Sequence, residues 1–399
     1  TMIWRTNPGV PASMGNMFNS ATSFNQNISS WNTSAVTAMH YMFNYASKFN
    51  NGQPTGTSGG ADLTFSTSNV TNMTYMFNGA TVFNQNISAF DTSKVTDMSY
   101  MLARTPAFNN GQAAGGAGQR PLSWTTSNVT TIAGMFLASA GSVFNQNISG
   151  WDLSKCTDMS NAFQMVWPTW TNAFNNGALP GDTNTLSWTI NSSSTASVTM
   201  QQAFQGLRYF NADISSFNTS RVTSLYLTFA STGAFNQDIS RWDTSRVTNF
   251  QSTFRNATAF NQDISSWNVT AGTNFSNMFD GATSFNRSLA QFQLSSLGAS
   301  GLVGIFGSTT ASAMTEQNIQ DTTIAWSHQA SRSNFPTTGT YDALGKARWL
   351  NCVGYAAYVR MNSKQLMTTW ATLGSAPTGC NTATVSWYGA STGSPTTQS

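Results

Sequence analysis

Charge is what this 399-residue chain has least of: 8% of its residues are Asp, Glu, Lys or Arg, against roughly 25% in an average globular protein. The net charge of +3 is scattered along the chain, which excludes the basic footprint that a nucleic-acid partner requires. No run of about 18 apolar residues exists, so no segment reads as a membrane-spanning helix. Glu316 is the lone glutamate, and His40 and His328 are the two histidines. HExxH, GxSxG, P-loop and Cys-His metal patterns are all missing. His40 fills a position that Thr74 and Ser99 occupy in other copies of a repeat described below, so it reads as a surface residue. The residues therefore predict no catalytic centre, no cofactor site and no metal site. The chain opens Thr1-Met2-Ile3-Trp4-Arg5 with no hydrophobic leader, as the mature form of a secreted protein would.

What is present is Asn, Ser, Thr and Gln, which must supply the polar surface, together with 13 Trp and 27 Phe. A hydrophobic share of 40% excludes simple disorder. Phe-Asn pairs begin at Phe24, Phe49, Phe83, Phe108, Phe144, Phe174, Phe210, Phe235, Phe260 and Phe285, the last four 25 residues apart. Earlier spacings alternate between short steps of 25 or 30 and long steps of 34 or 36. A fixed period of this size marks stacked supersecondary units. The fullest unit runs from Phe24 to Ala46 and reads F-N-Q-N-I-S-S-W-N-T-S-A-V-T. It then continues through Met39, Met42 and Phe43.

Each unit has two halves. Met39, Met42, Phe43 and Ala46 fall on one face of a short helix, with Thr37 as its cap. Ile28-Ser-Ser-Trp31 is β-favoured and predicts one short strand. The expected fold is thus an α/β solenoid of leucine-rich-repeat type. Each coil of about 25 residues would hold one short parallel strand plus one short helix or 3₁₀ turn. With strands about 4.8 Å apart, ten coils would form a rod of roughly 50 Å. The expected organisation is a lead strand or cap over 1–13, the solenoid over 14–315, a C-terminal cap domain over 316–390 and a tail over 391–399. Met14–Ala21 is a helical half with little before it, so this end looks under-capped. Tyr341–Leu373 is expected to be helical.

Candidate functional residues follow from the repeat. Asn25, Asn50, Asn84, Asn109, Asn145, Asn175, Asn211, Asn236, Asn261 and Asn286 recur in every unit, and are expected to form a structural ladder of stacked amides. Units two, four and six replace F-N-Q with F-N-N-G and insert Gly-rich loops, at Gly52–Gly60, Gly111–Gly118 and Gly177–Gly181. Such loops project from one face in a row, and with the outlying Trp167 and Trp170 they form a candidate contact ridge. Trp31, Trp124, Trp151, Trp188, Trp242 and Trp267 share one position with Phe90 and Phe217, which points to core. Asp213, Asp238 and Asp263 stack in consecutive coils. Pairing with Arg221, Arg241, Arg246 and Arg255 is favoured over calcium as the offset to their repulsion.

Cys156 takes the place of an inward Val and reads as a buried thiol, whereas Cys352 and Cys380 would close a disulfide in an oxidising compartment. Thirteen Asn-x-Ser/Thr sequons include Asn27, Asn69, Asn86, Asn128, Asn147, Asn218, Asn256 and Asn274, candidate glycosylation positions in an extracellular protein.

The units F-N-Q-D-I-S-S-W-N-V-T at Phe260–Thr270 and V-T-N-M-T-Y-M-F-N-G-A at Val70–Ala80 closely resemble the BspA-like leucine-rich-repeat surface proteins. That group includes the Mycoplasma lipoprotein-associated repeat domain. The resemblance spans Met14 to Phe292, and Thr322–Gln329 resembles the region that closes such repeats. It implies a secreted protein on a cell or virion surface, linked to adhesion or host contact, and carries over no catalytic residues. The expectation is therefore a non-enzymatic extracellular protein acting through adhesion or self-assembly, end-to-end or lateral, as a filament or coat subunit. The alternative is a module that binds surface glycans or a host receptor.

Overall fold

Apolar side chains repeated every 25 residues need a partner surface that no single unit can supply, so the units pack on one another. The computed structural model describes residues 12–54, 62–116, 120–138, 141–165, 173–179, 182–190, 195–298, 301–307 and 314–330. Among the described residues there are six short strands: β1 (Ala12–Ser13), β2 (Val36–Ala38), β3 (Asp152–Leu153), β4 (Thr189–Ile190), β5 (Val198–Thr199) and β6 (Val222–Ser224). They pair in parallel, β1 with β2, β3 with β4 and β5 with β6. Isolated parallel bridges extend the pairing into one unbroken line, Ser13–Ala38–Asn72–Asp97–Thr131–Asp158–Thr199–Ser224–Asn249–Asn274. The chain is a repeat protein in which each repeat bonds to the next.

The two halves of each unit differ from the sequence expectation. Met39–Ala46 is a run of turns and not a helix. Tyr41 and Tyr45 have φ of 55° and 54°, in the left-handed region. The backbone alternates as a result. The amides of Met39, Tyr41, Phe43 and Tyr45 donate to the carbonyls of Asn72, Thr74, Met76 and Asn78 in the next repeat, at 3.1, 2.8, 2.8 and 2.7 Å. The amides of Met42, Asn44 and Ala46 donate three residues back, to Met39, Tyr41 and Phe43. A helix would spend the amides beyond its first turn on internal bonds and break this alternating bond row between repeats. Thr37 accordingly caps nothing; its Oγ1 donates to the Ala12 carbonyl at 3.3 Å.

Ile28–Trp31 is likewise a turn, closed by the Trp31 amide on the Ile28 carbonyl at 3.0 Å. Ile28 and Trp31 are both buried, whereas residues three apart in a strand face opposite sides. The strand pairing sits instead at Val36–Ala38. The apolar positions still form one continuous core, with Phe49, Phe83, Phe108 and Phe144 stacked at ring-centroid distances of 5.8 to 5.9 Å.

The described helix is α1 (Glu316–Ala330), begun by Thr315, whose Oγ1 accepts the Asn318 amide. It closes the last repeat by imitation. Thr315 donates its amide to Asn286 Oδ1 at 2.7 Å, and Trp326 Nε1 donates to the Leu289 carbonyl at 3.2 Å. Gln329 bonds both the Leu294 amide and the Phe292 carbonyl. The expected helix over 341–373 and the pair Cys352 and Cys380 lie outside the described residues, as do residues 1–11 of the lead segment and the tail.

Candidate contact surfaces

The ten repeated asparagines form one chain of hydrogen bonds. Oδ1 of Asn25 accepts the Asn50 amide at 2.8 Å, and Asn50, Asn84, Asn109, Asn145, Asn175, Asn211, Asn236 and Asn261 each do the same for the next, ending at Asn286. In four repeats the following Gln doubles the rung: Gln85, Gln146, Gln237 and Gln262 donate Nε2 to Oδ1 of Asn50, Asn109, Asn211 and Asn236 at 2.7 to 2.9 Å. The row is occupied by the scaffold and offers nothing to a ligand.

Gly52, Gly111 and Gly177 lie inside this network. Their φ values of 80°, 77° and 81° aim their amides at Asn25, Asn84 and Asn145, at 3.0, 3.0 and 2.9 Å. The preceding Asn51, Asn110 and Asn176 are buried and accept the amides of Ile28, Ile87 and Ile148. Sequence reasoning took F-N-N-G as the start of Gly-rich loops on a candidate contact ridge. The second Asn of that motif is a staple, and the switch from Gln to Asn was its visible signal. Gly60, Gly118, Gly181, Trp167 and Trp170 lie outside the described residues.

The tryptophan row is core. Trp124, Trp151, Trp188, Trp242 and Trp267 are buried, with Nε1 on a carbonyl of the preceding repeat. Cys156 is buried, and burial pushes its thiol up to about 12. Asp213, Asp238 and Asp263 do not rely on arginine as expected. Each accepts the backbone amide two residues on, from Ser215, Ser240 and Ser265, at 2.8 to 2.9 Å. Hydrogen bonds from Ser240 and Ser265 hold the carboxyls of Asp238 and Asp263 below the usual range, with Arg241 and Arg287 a smaller influence. Among the described residues the ion pair within 4 Å is Arg255 with Asp280, at 3.1 Å.

The sequons divide by what their amides do. Asn69 and Asn128 are engaged at both ends: Nδ2 donates to the Ser34 and Ser93 carbonyls, and Oδ1 accepts from Lys94 and Lys155. Asn274 donates Nδ2 to Gln251 at 3.0 Å. Asn27, Asn147, Asn218 and Asn256 are exposed, and Asn86 is half-buried. A glycan fits those exposed four without breaking a bond between repeats.

Two surfaces stand out from the regular stack. One is the first repeat. Met17, Phe18 and Phe24 are only partly buried, while their counterparts Met42, Phe43 and Phe49 are fully so. The amides of Met14, Asn16, Phe18 and Ser20 donate to the second repeat, at 2.9, 3.0, 2.9 and 2.6 Å. The intervening carbonyls of Ser13, Gly15, Met17 and Asn19 therefore face away from the stack and accept no bond among the described residues. The other is a tyrosine row, Tyr41, Tyr75 and Tyr100, with rings 4.7 Å apart and nearly parallel. Among the described residues no helix is long and apolar enough to cross a membrane.

A family model described as "Mycoplasma protein of unknown function, DUF285" matches residues 4–57, 57–176 and 182–316. No curated protein and no solved structure matches the chain.

Proposed function

The chain belongs to the Mycoplasma protein family of unknown function DUF285, and we propose on that premise that it is a non-enzymatic extracellular surface protein acting through adhesion or self-assembly. In this reading the repeats form a solenoid of leucine-rich-repeat plan, modified so that turns replace the helix. The observation that carries the reading is the first described repeat, whose outer side meets no bonding partner among the described residues. Its half-exposed Met17, Phe18 and Phe24 and its outward row of carbonyls make a surface that wants both apolar cover and N–H donors.

The direction of the bonds restricts what can meet it. Alternate amides in the turn segment point towards the next repeat, and the others bond three residues back, so the outward groups of the first repeat are acceptors. Two first repeats face to face would oppose carbonyl to carbonyl, which disfavours head-to-head pairing. A partner edge must supply amides. Sedimentation velocity of the purified chain across micromolar concentrations tests the assembly arm, and retention of chain-coated beads on a cell monolayer tests the adhesion arm. Monomer at every concentration together with no retention would overturn the proposal.

A second reading, a module that binds carbohydrate, is favoured by one observation: Tyr45 is 48% exposed on the same face as the tyrosine row.

A further inference from the structure

We infer that the turn face of repeats two to four is a binding site for an acidic carbohydrate, which lies on the ring of Tyr45 and pairs its anionic group with Arg104. This rests on the second reading above and supplies its ligand class.

The placement of the tyrosines is the first argument. One position in each turn segment takes a positive φ, and in most of them so does the fourth residue after it. The first of these positions is occupied in order by Asn16, Tyr41, Tyr75, Tyr100, Gly134, Asn161, Gln202, Leu227, Ser252 and Asn277. The second holds Ser20, Tyr45, Gly79 and Arg104 in the first four repeats, then Gly206, Ser231, Asn256 and Gly281 further on. Left-handed backbone costs a bulky side chain of order 1 kcal/mol or more, and Gly or Asn bears it best. The backbone therefore gains nothing from tyrosine here, yet Tyr41, Tyr45, Tyr75 and Tyr100 cluster in three adjacent repeats.

Geometry is the second. Tyr41, Tyr75 and Tyr100 cover each other's faces, at 4.7 Å with interplanar angles of 6° and 11°, so the row offers its edges and hydroxyls. Tyr45 stands outside this stacked row, although like Tyr100, which lies over Gly134, it lies over a glycine. Its ring is seated across Gly79, where a Cβ would come within 2.7 Å of it, and the residue is 48% exposed. An aromatic face next to a line of hydroxyls suits a sugar ring, whose C–H face is apolar and whose rim is polar.

Charge is the third. Arg104 donates Nη1 to Asn78 Oδ1 at 3.3 Å and has no carboxylate within 4 Å among the described residues. A guanidinium carries five donors, so most remain for a ligand carboxylate or sulfate. The groups converge on Tyr75, whose hydroxyl is held above its ordinary value first by burial and then by Tyr100, Tyr41 and Tyr45, with Arg104 opposing.

The test is calorimetric titration of the whole chain with three probes: hyaluronan oligosaccharide, neutral dextran and poly-glutamate. Hyaluronan alone is expected to bind. Tyr45→Ala and Arg104→Gln are each expected to weaken it at least tenfold, while Tyr209→Ala, an exposed tyrosine on another repeat, leaves it unchanged. Circular dichroism establishes that each variant is folded, and Tyr45→Leu replaces Tyr45→Ala if the latter is not. No binding of hyaluronan, equal binding of poly-glutamate, or unchanged affinity in both variants would overturn the inference. Adhesion or self-association that persists in those variants would leave the leading reading standing while this one falls.

Discussion

The two ends of the stack solve the same problem differently. At the C-terminal end α1 supplies the missing rungs: Thr315 takes the next asparagine's place on Asn286, and Trp326 takes the next tryptophan's place on Leu289. At the first repeat Phe18 and Phe24 stack on each other at 3.9 Å and stay partly exposed, with a carbonyl row facing out. A stack of this kind is polar along its axis, because the turn-segment amides that leave their own repeat all point to the following one. One end needs acceptors covered and the other needs donors covered, so a single capping device cannot serve both. Among the described residues the contrast is therefore between the Asn286 and Leu289 rungs, which α1 occupies, and the turn-segment carbonyls of the first described repeat, which accept no bond.

The sharpest way to break the contrast is to open the closed end. Trp326→Ala removes a buried ring and its bond, at a cost of about 3–5 kcal/mol. Hydrogen exchange should then rise first over Leu289–Leu297, while the middle repeats stay protected. The interior gives a matching reference. Phe43→Ala should also cost about 3–5 kcal/mol in denaturant unfolding, whereas Phe18→Ala in the first repeat should cost about 1 kcal/mol, since much of its area is not buried.

A pH effect probes the interior alone. The Cys156 thiol sits at about 12 in the folded chain, above its unfolded value of about 8.5. Its contribution is therefore complete below pH of about 8.5 and is lost as pH rises towards the folded value. Stability should fall by about 1 kcal/mol per pH unit in that window, and Cys156→Val should remove that part of the slope. The smallest effect belongs to Asp238→Asn, expected to change stability by about 0.5 kcal/mol or less. Asn27, Asn86 and Asn147 already make the same bond, to the amides of Ser29, Ser88 and Ser149.

How much of this was legible in the sequence depends on which signal a residue carries. The period, the core positions and the parallel stacking were readable, because burial repeats with the unit. The local conformation was not. Met39, Met42, Phe43 and Ala46 have helical spacing, yet a turn run with two left-handed residues buries the same side chains. Apolar spacing reports which side chains face inward and says nothing about where the amides point. Tyrosine at a left-handed position gave no warning either, since glycine and asparagine are the usual markers. The tyrosine face was missed for that reason.

Sedimentation velocity on the whole chain beside Phe18→Asp, across micromolar concentrations, tests the contrast between the ends most directly. The account predicts that the unmodified chain associates as concentration rises and that Phe18→Asp stays monomeric with its fold intact. A chain that is monomeric throughout, or a variant that associates equally well, would contradict it.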